Sequence, residues 1–160
     1  MNLQGWLVDH GLETLKINIK FLQAEFKIHD LDKEAAWELY IELLTRITTQ
    51  PLPEDSGDNK TALESVYSLF PLTREVIKRK GPGCLEFTKI AIVVLNQVIR
   101  PFTAKWHKLS LECAFEIPEK VREFREELAD LQEKLRVYTR ALAAMADVED
   151  LTALENEEPI

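Results

Sequence analysis

The densest set of residues able to do chemistry lies between Asn96 and Lys108, where the chain reads Asn96-Gln97-Val98-Ile99-Arg100-Pro101-Phe102-Thr103-Ala104-Lys105-Trp106-His107-Lys108. A continued helix places Asn96, Arg100, Thr103 and His107 along one polar strip, and Phe102, Trp106 and Leu109 along an apolar one. Arg100 offers a planar fork to a carboxylate or phosphate, and His107 is the side chain whose charge changes nearest neutral pH. With Lys105 and Lys108, these four residues form the candidate contact site. The competing reading is structural: Phe102 and Trp106 fill a core while Arg100 caps carbonyls or pairs with an acidic neighbour. Aromatic residues at helical spacing more often fill cores than build sites.

Elsewhere the sequence has no Walker A loop, no dinucleotide-type GxGxxG, no HExxH, no nucleophile elbow and no zinc-type Cys/His spacing. His10 and Glu13 can share a helix face, as can Glu38 and Glu42, but a metal site in a bundle needs further inward-facing Glu and His ligands. These carboxylates read as solvated. The sequence therefore predicts no metal, no cofactor and no enzymatic activity.

The stretch Leu95-Asn96 to Trp106-His107 has the form LNxxxRPFxxxWH. It resembles a segment of uncharacterised bacterial helical proteins, some of which belong to multi-component conflict or defence systems. The resemblance covers about a dozen residues and implies no reaction and no catalytic residue; it implies a helical protein working in a multi-protein setting.

The elements that must position these residues are helices, since the five glycines and seven prolines fall mainly where helical periodicity stops. Leu12, Leu15, Ile19, Leu22 and Phe26 predict a first helix, preceded by a short turn at Trp6 and Leu7. A second, capped by Asp30 or Asp32, shows the stripe Trp37, Tyr40, Leu44 and Ile47 and ends before Pro51. Residues 50–60 read as a loop. Thr61 and Glu64 have capping-box spacing for a third helix, which Pro71 kinks or restarts and Gly81-Pro82-Gly83 terminates. Residues 84–110 form a fourth element whose apolar first half is expected to be the central helix, with a kink or new start at Pro101, which lacks the amide that would bond to residue 97.

The last helix carries a heptad seam of Val121, Phe124, Leu128, Leu131, Leu135, Tyr138, Leu142 and Met145. Periodicity leaves open whether that seam closes a bundle or a coiled-coil dimer. The predicted fold is all-α: a mainly antiparallel four- or five-helix bundle of residues 1–147, with a long C-terminal helix and an acidic, flexible tail at 148–160.

Charge is uneven. The whole chain carries −8, yet residues 74–108 hold eight basic residues against Glu75 and Glu86, and residues 147–160 hold six carboxylates with no Lys or Arg. A pI near 5.0 opposes specific nucleic-acid binding. The opening Met1-Asn2-Leu3-Gln4 lacks the regions of a secretory signal, and the apolar run at residues 90–99 is broken by Asn96 and Gln97, so neither export nor membrane insertion is expected. Cys84 and Cys113 fit two reduced cytoplasmic thiols. The sequence thus predicts a cytoplasmic protein-protein interaction module or accessory subunit, contacting a protein partner or a second copy through helix surfaces. The alternative is a sensor of a small anion or nucleotide, bound in a polar pocket near Arg100 and His107.

Overall fold

The computed structural model describes residues 1–53 and 57–156. They form the helices α1 (Leu3–Asp9), α2 (Asp30–Leu44), α3 (Asn59–Tyr67), α4 (Leu69–Lys80), α5 (Leu85–Val93), α6 (Arg100–Leu111) and α7 (Pro118–Ala146). The fold is all-α, and among the described residues extended pairing is limited to an isolated bridge between Asn2 and Glu25.

Several helices run on from one another. Ser68 closes α3 and opens α4, which leaves Pro71 in the first turn of α4, where a missing amide removes no intrahelical bond. Gly81, with φ +71°, ends α4, and a 3-10 turn at Gly81–Cys84 leads into α5. A π turn at Val94–Ile99 joins α5 to α6. The two resulting rods lie antiparallel as a hairpin, because Tyr67 meets His107 while Phe70 meets Arg100.

Helix α2 is the shared member of the bundle, touching α4, α5 and α7. It lies antiparallel to α7: the Tyr40 hydroxyl meets Asp150 and Leu151 beyond the end of α7, whereas Ile47 and Gln50, past the end of α2, meet Gln132. Its buried stripe is Ala35, Ala36, Leu39, Tyr40 and Leu43, so the predicted stripe is displaced and Trp37 is 43% exposed. The segment expected to be central also needs correction, since Leu85 and Ile92 of residues 84–99 are exposed while Phe87, Ile90, Ala91, Val94, Leu95 and Ile99 are buried. The helical run Asn59–Leu111 contains a window of mean hydropathy 1.3, long and apolar enough by composition to cross a membrane, and 44% of that window is buried in the fold.

The predicted first helix does not form. The chain instead makes α1, a 3-10 turn at Leu12–Leu15 and an irregular stretch over residues 16–29. Gly11, Lys16 and Phe21 adopt φ of +72°, +54° and +63°, and a right-handed helix cannot contain them. The carbonyls of Leu22 and Ala24 accept from the amides of Gln4 and Leu3, so the stretch wraps α1 rather than coiling on itself. Trp6 and Leu7, predicted to form only a leading turn, belong to α1 and are buried. Gln97, within the π turn, then latches the stretch: its side-chain oxygen accepts from the Asn18 amide at 2.7 Å and its nitrogen donates to the Asn18 carbonyl at 2.8 Å.

One cap agrees with expectation and one differs. Asp32, fully buried in the first turn of α2, caps the helix by accepting from the amide of the N-cap residue His29 and also, across the bundle, from that of Phe87, both at 2.9 Å. The N-cap of α3 is Asp58, whose carboxylate accepts from the Thr61 amide and hydroxyl, in place of the Thr61/Glu64 box. The predicted loop is present at residues 50–53 and 57–58, and residues 54–56 lie outside the described residues.

Helix α7 spans 29 residues and buries its seam, with Val121 only partly covered. Gln132, Thr139, Ala141 and Ala143 are buried as well, a stripe wider than a two-stranded coiled coil uses. The seam therefore closes the bundle of a single chain. Beside it, the Gln132 amide donates to the Ile47 and Gln50 carbonyls, each at 2.6 Å, Arg136 donates to Thr49, and Arg125 holds the carbonyls of Leu52, Pro53 and Gly57. Beyond α7 the chain returns to α2, where the Leu151 amide donates to the Tyr40 hydroxyl, and Thr152 is buried. Residues 157–160 lie outside the described residues.

Leu131→Ala, at a position 4% exposed, is expected to cost about 2 to 5 kcal/mol in chemical denaturation, whereas Glu133→Ala on the exposed side should change stability by roughly 0.5 kcal/mol or less. Equal effects would contradict this orientation of α7.

Candidate functional site: the helix surface around Pro101

Pro101 has no amide to return to the carbonyl four residues back, and the helix adapts upstream of it. The Arg100 amide reaches the Leu95 carbonyl, five residues back, so the turn before Pro101 contains one residue more than an α turn. The sequence predicted a kink or a new start here, and the π turn is the form it takes.

Downstream, Phe102 and Trp106 face inward and are buried. Trp106 meets Phe124 of α7 edge-on at 5.2 Å between centroids, Phe102 lies 5.6 Å from Phe124, and Phe115 closes the cluster at 4.9 Å from the same ring. These contacts agree with the structural reading of the two aromatics. Among the described residues neither the Trp106 indole N–H nor the Tyr138 hydroxyl further along α7, both buried, has a hydrogen-bond partner. Burial drives the Tyr138 hydroxyl well above the ordinary tyrosine pKa.

The six candidate contact residues separate into four environments. Asn96 and Arg100 come together, with the Arg100 Nε donating to the Asn96 Oδ1 at 3.2 Å, and the Arg100 guanidinium lies 4.5 Å from the centre of the Phe70 ring. Both are exposed. Arg100 thus neither caps a carbonyl nor pairs with a carboxylate among the described residues. His107 is half-buried, edge-on to Tyr67 at 5.0 Å, and Lys108 points outward. Thr103 leaves the predicted strip: it is buried, and its hydroxyl donates to the Arg100 carbonyl at 3.2 Å. Lys105 occupies the other flank, where it donates to Glu127 at 2.7 Å and Glu123 at 2.9 Å of α7 and lies 5.1 Å from the Trp106 ring. Arg100 and His107 each engage a separate aromatic of the α3/α4 rod.

The residues missed by sequence reasoning are those partners, Tyr67 and Phe70. Their spacing of three was a legible sign of a shared helix face, but nothing in the sequence says which rod lies beside α6.

The other pairs singled out by spacing have structural uses. The His10 ring bonds the Trp6 carbonyl at 2.8 Å and lies tilted against the Trp6 ring, 4.4 Å between centroids. Glu38 pairs with Arg79 and Lys80, and Glu42 with Arg46, as partly exposed surface ion pairs. Among the described residues no group of three or more His, Cys, Asp and Glu side chains is placed to hold a metal ion. Cys84 is buried and Cys113 exposed, both as free thiols.

The chain matches no family model, no curated protein and no solved structure.

Hydrogen bonds from Lys105 and Lys120 hold Glu123 below its ordinary value of 4.5, while Glu127 first and Glu123 second raise Lys105 above 10.5. The carboxylate contribution is present above its unfolded pKa and is lost as pH falls through the folded one. The lysine contribution is present below its unfolded pKa and is lost as pH rises through the raised one. Lys105→Met is therefore expected to lower the Tm slightly at neutral pH, with the difference from the parent vanishing in acid and shrinking in high salt. A Tm difference that persists after the carboxylates are protonated would assign the effect to packing on Trp106 instead.

Proposed function

We propose that this chain is a non-enzymatic helical protein-protein interaction module, an accessory subunit of a cytoplasmic multi-protein assembly. The resemblance of residues 95–107 to segments of bacterial defence-type proteins suggests the setting. The observation that carries this reading is Arg100, a guanidinium held at the surface by the Phe70 ring on one side and Asn96 on the other. An arginine already restrained in this way loses little side-chain freedom when a partner binds, and arginine and tyrosine are the residues enriched where interfaces concentrate their energy. Tyr67, 46% exposed, lies on the same hairpin against His107. Two free thiols support residence in a reducing compartment.

Tagged chain expressed in its native host and recovered with its bound proteins is expected to retain one reproducible partner. Arg100→Ala/His107→Ala should lose that partner while the Tm stays within a few degrees of the parent, since both side chains lie at the surface of the bundle. Undiminished partner recovery by a folded double variant would sink the reading.

A further inference from the structure

The excess of basic residues in the 74–108 segment is sorted in space by the fold. Four of its eight cations are neutralised within the chain: Arg79 by Glu38 and Glu75, Lys80 by Glu34 and Glu38, Lys89 by Glu86, and Lys105 by Glu123 and Glu127. The other four, Arg74, Lys78, Arg100 and Lys108, are exposed and form no ion pair among the described residues.

These four share one face. The contact of Arg100 with Phe70 fixes α6 beside α4, and that of His107 with Tyr67 fixes α6 beside α3. Arg74 follows Phe70 by one helical turn and Lys78 follows Arg74 by another, along the outward side of the α4 rod. Lys108 lies two turns beyond Arg100 on α6, next to His107. The carboxylates on this side are Glu64 of α3, Glu112 at the end of α6 and Glu75, which shares a surface hollow with Arg74 and Lys78 but pairs with Arg79; among the described residues none of the three forms an ion pair with the four cations. A strip of four unpaired cations thus runs along the hairpin of a chain whose net charge is −8.

We propose that this strip, the outer face of the α3/α4 and α6 hairpin, docks an acidic segment of a partner protein. The inference rests on the interaction function above and names the chemistry of its partner. Charge complementarity selects a carboxylate-bearing chain, with Arg100 as the preoriented fork and Tyr67 as an apolar contact at the edge. A nucleic-acid duplex suits the strip less well. It presents a phosphate charge every ~1.7 Å along its axis, a density that four cations on a chain of net charge −8 do not match.

The test is fluorescence anisotropy of the full chain with a labelled Glu-rich peptide containing interspersed leucines, and with its analogue in which Gln replaces every Glu. The Glu peptide is expected to bind, more weakly as salt rises, and the Gln analogue to bind far less. Arg74→Glu/Arg100→Glu should weaken the Glu peptide roughly tenfold, equal to about 1.4 kcal/mol. Arg122→Glu/Lys134→Glu, on α7, should leave it unchanged, with circular dichroism confirming that both variants are folded. Equal binding of the Glu and Gln peptides, or equal binding by both double variants, would overturn the proposal. So would tighter binding of duplex DNA or phosphatidylserine vesicles than of the peptide, or a salt-sensitive dimer in sedimentation that Arg74→Glu/Arg100→Glu abolishes, which would give the strip to a second copy of this chain. If the Glu peptide fails while Arg100→Ala/His107→Ala still loses a captured protein, the acidic class falls and the interaction function stands; if neither variant pair affects any binding, both fall.

Discussion

The burial of α2 is the constraint on which the other elements depend. A helix that touches α4, α5 and α7 at once has to be narrow on its buried sides, and Ala35 and Ala36, both fully buried, keep it so between the larger Leu39, Tyr40 and Leu43. A bulky residue at either alanine would have to push a neighbouring helix away, because close-packed interiors have little room to absorb added volume. The polar contacts of α2 follow the same logic. Asp32 is desolvated but accepts two backbone amides, one from its own N-terminus and one from α5, so that a single carboxylate sets the height of one helix against the other. At the opposite end the Tyr40 hydroxyl receives the chain as it leaves α7.

With α2 fixed, α7 acts less as a smooth seam than as a ruler. Its apolar residues fill the core, and the polar residues flanking them, Arg125, Gln132 and Arg136, reach the carbonyls of the chain between α2 and α3. Backbone carbonyls that leave a helix need donors, and here the facing helix supplies them. On the hairpin of the two rods, Arg79, Lys80 and Lys105 meet carboxylates of α2 and α7, whereas Arg74, Lys78, Arg100 and Lys108 form no ion pair among the described residues.

The sequence made the last helix legible almost completely, because the seam from Phe124 to Met145 repeats without interruption over six turns or more, and only burial can maintain such a period. It misled at residues 12–26 for a physical reason. Leu12, Leu15, Ile19, Leu22 and Phe26 do cover core surface, but from an irregular wrap whose bends fall at Lys16 and Phe21, residues with no special tendency to left-handed backbone. Tertiary hydrogen bonds from α1 and from Gln97 impose those bends, and no local signal announces them. The candidate site was legible in half: Arg100 with Asn96, and the inward Phe102 and Trp106, follow from helical spacing alone. Thr103 lies on the same regular helix as Arg100 and His107 but is buried, because that side of α6 turns toward the α3/α4 rod, whose position is not written in the local sequence. Tyr67 and Phe70 belong to a different rod, and the pairing of rods is a property of the whole fold.

The π turn has a consequence for how chain length is tolerated. A turn holding one residue too many keeps α5 and α6 in the angular phase they would have if that residue were absent. Removing one residue from Val94–Ile99, with Pro101 replaced by alanine, would therefore restore an ordinary α-helix and leave Phe102, Trp106 and Arg100 pointing where they point now. The same deletion anywhere inside α6 would rotate the remainder of that helix by about 100° and carry the indole of Trp106 out of its cluster with Phe124. The surface around Pro101 is thus built on a helix whose length can change at one turn and is fixed in the next.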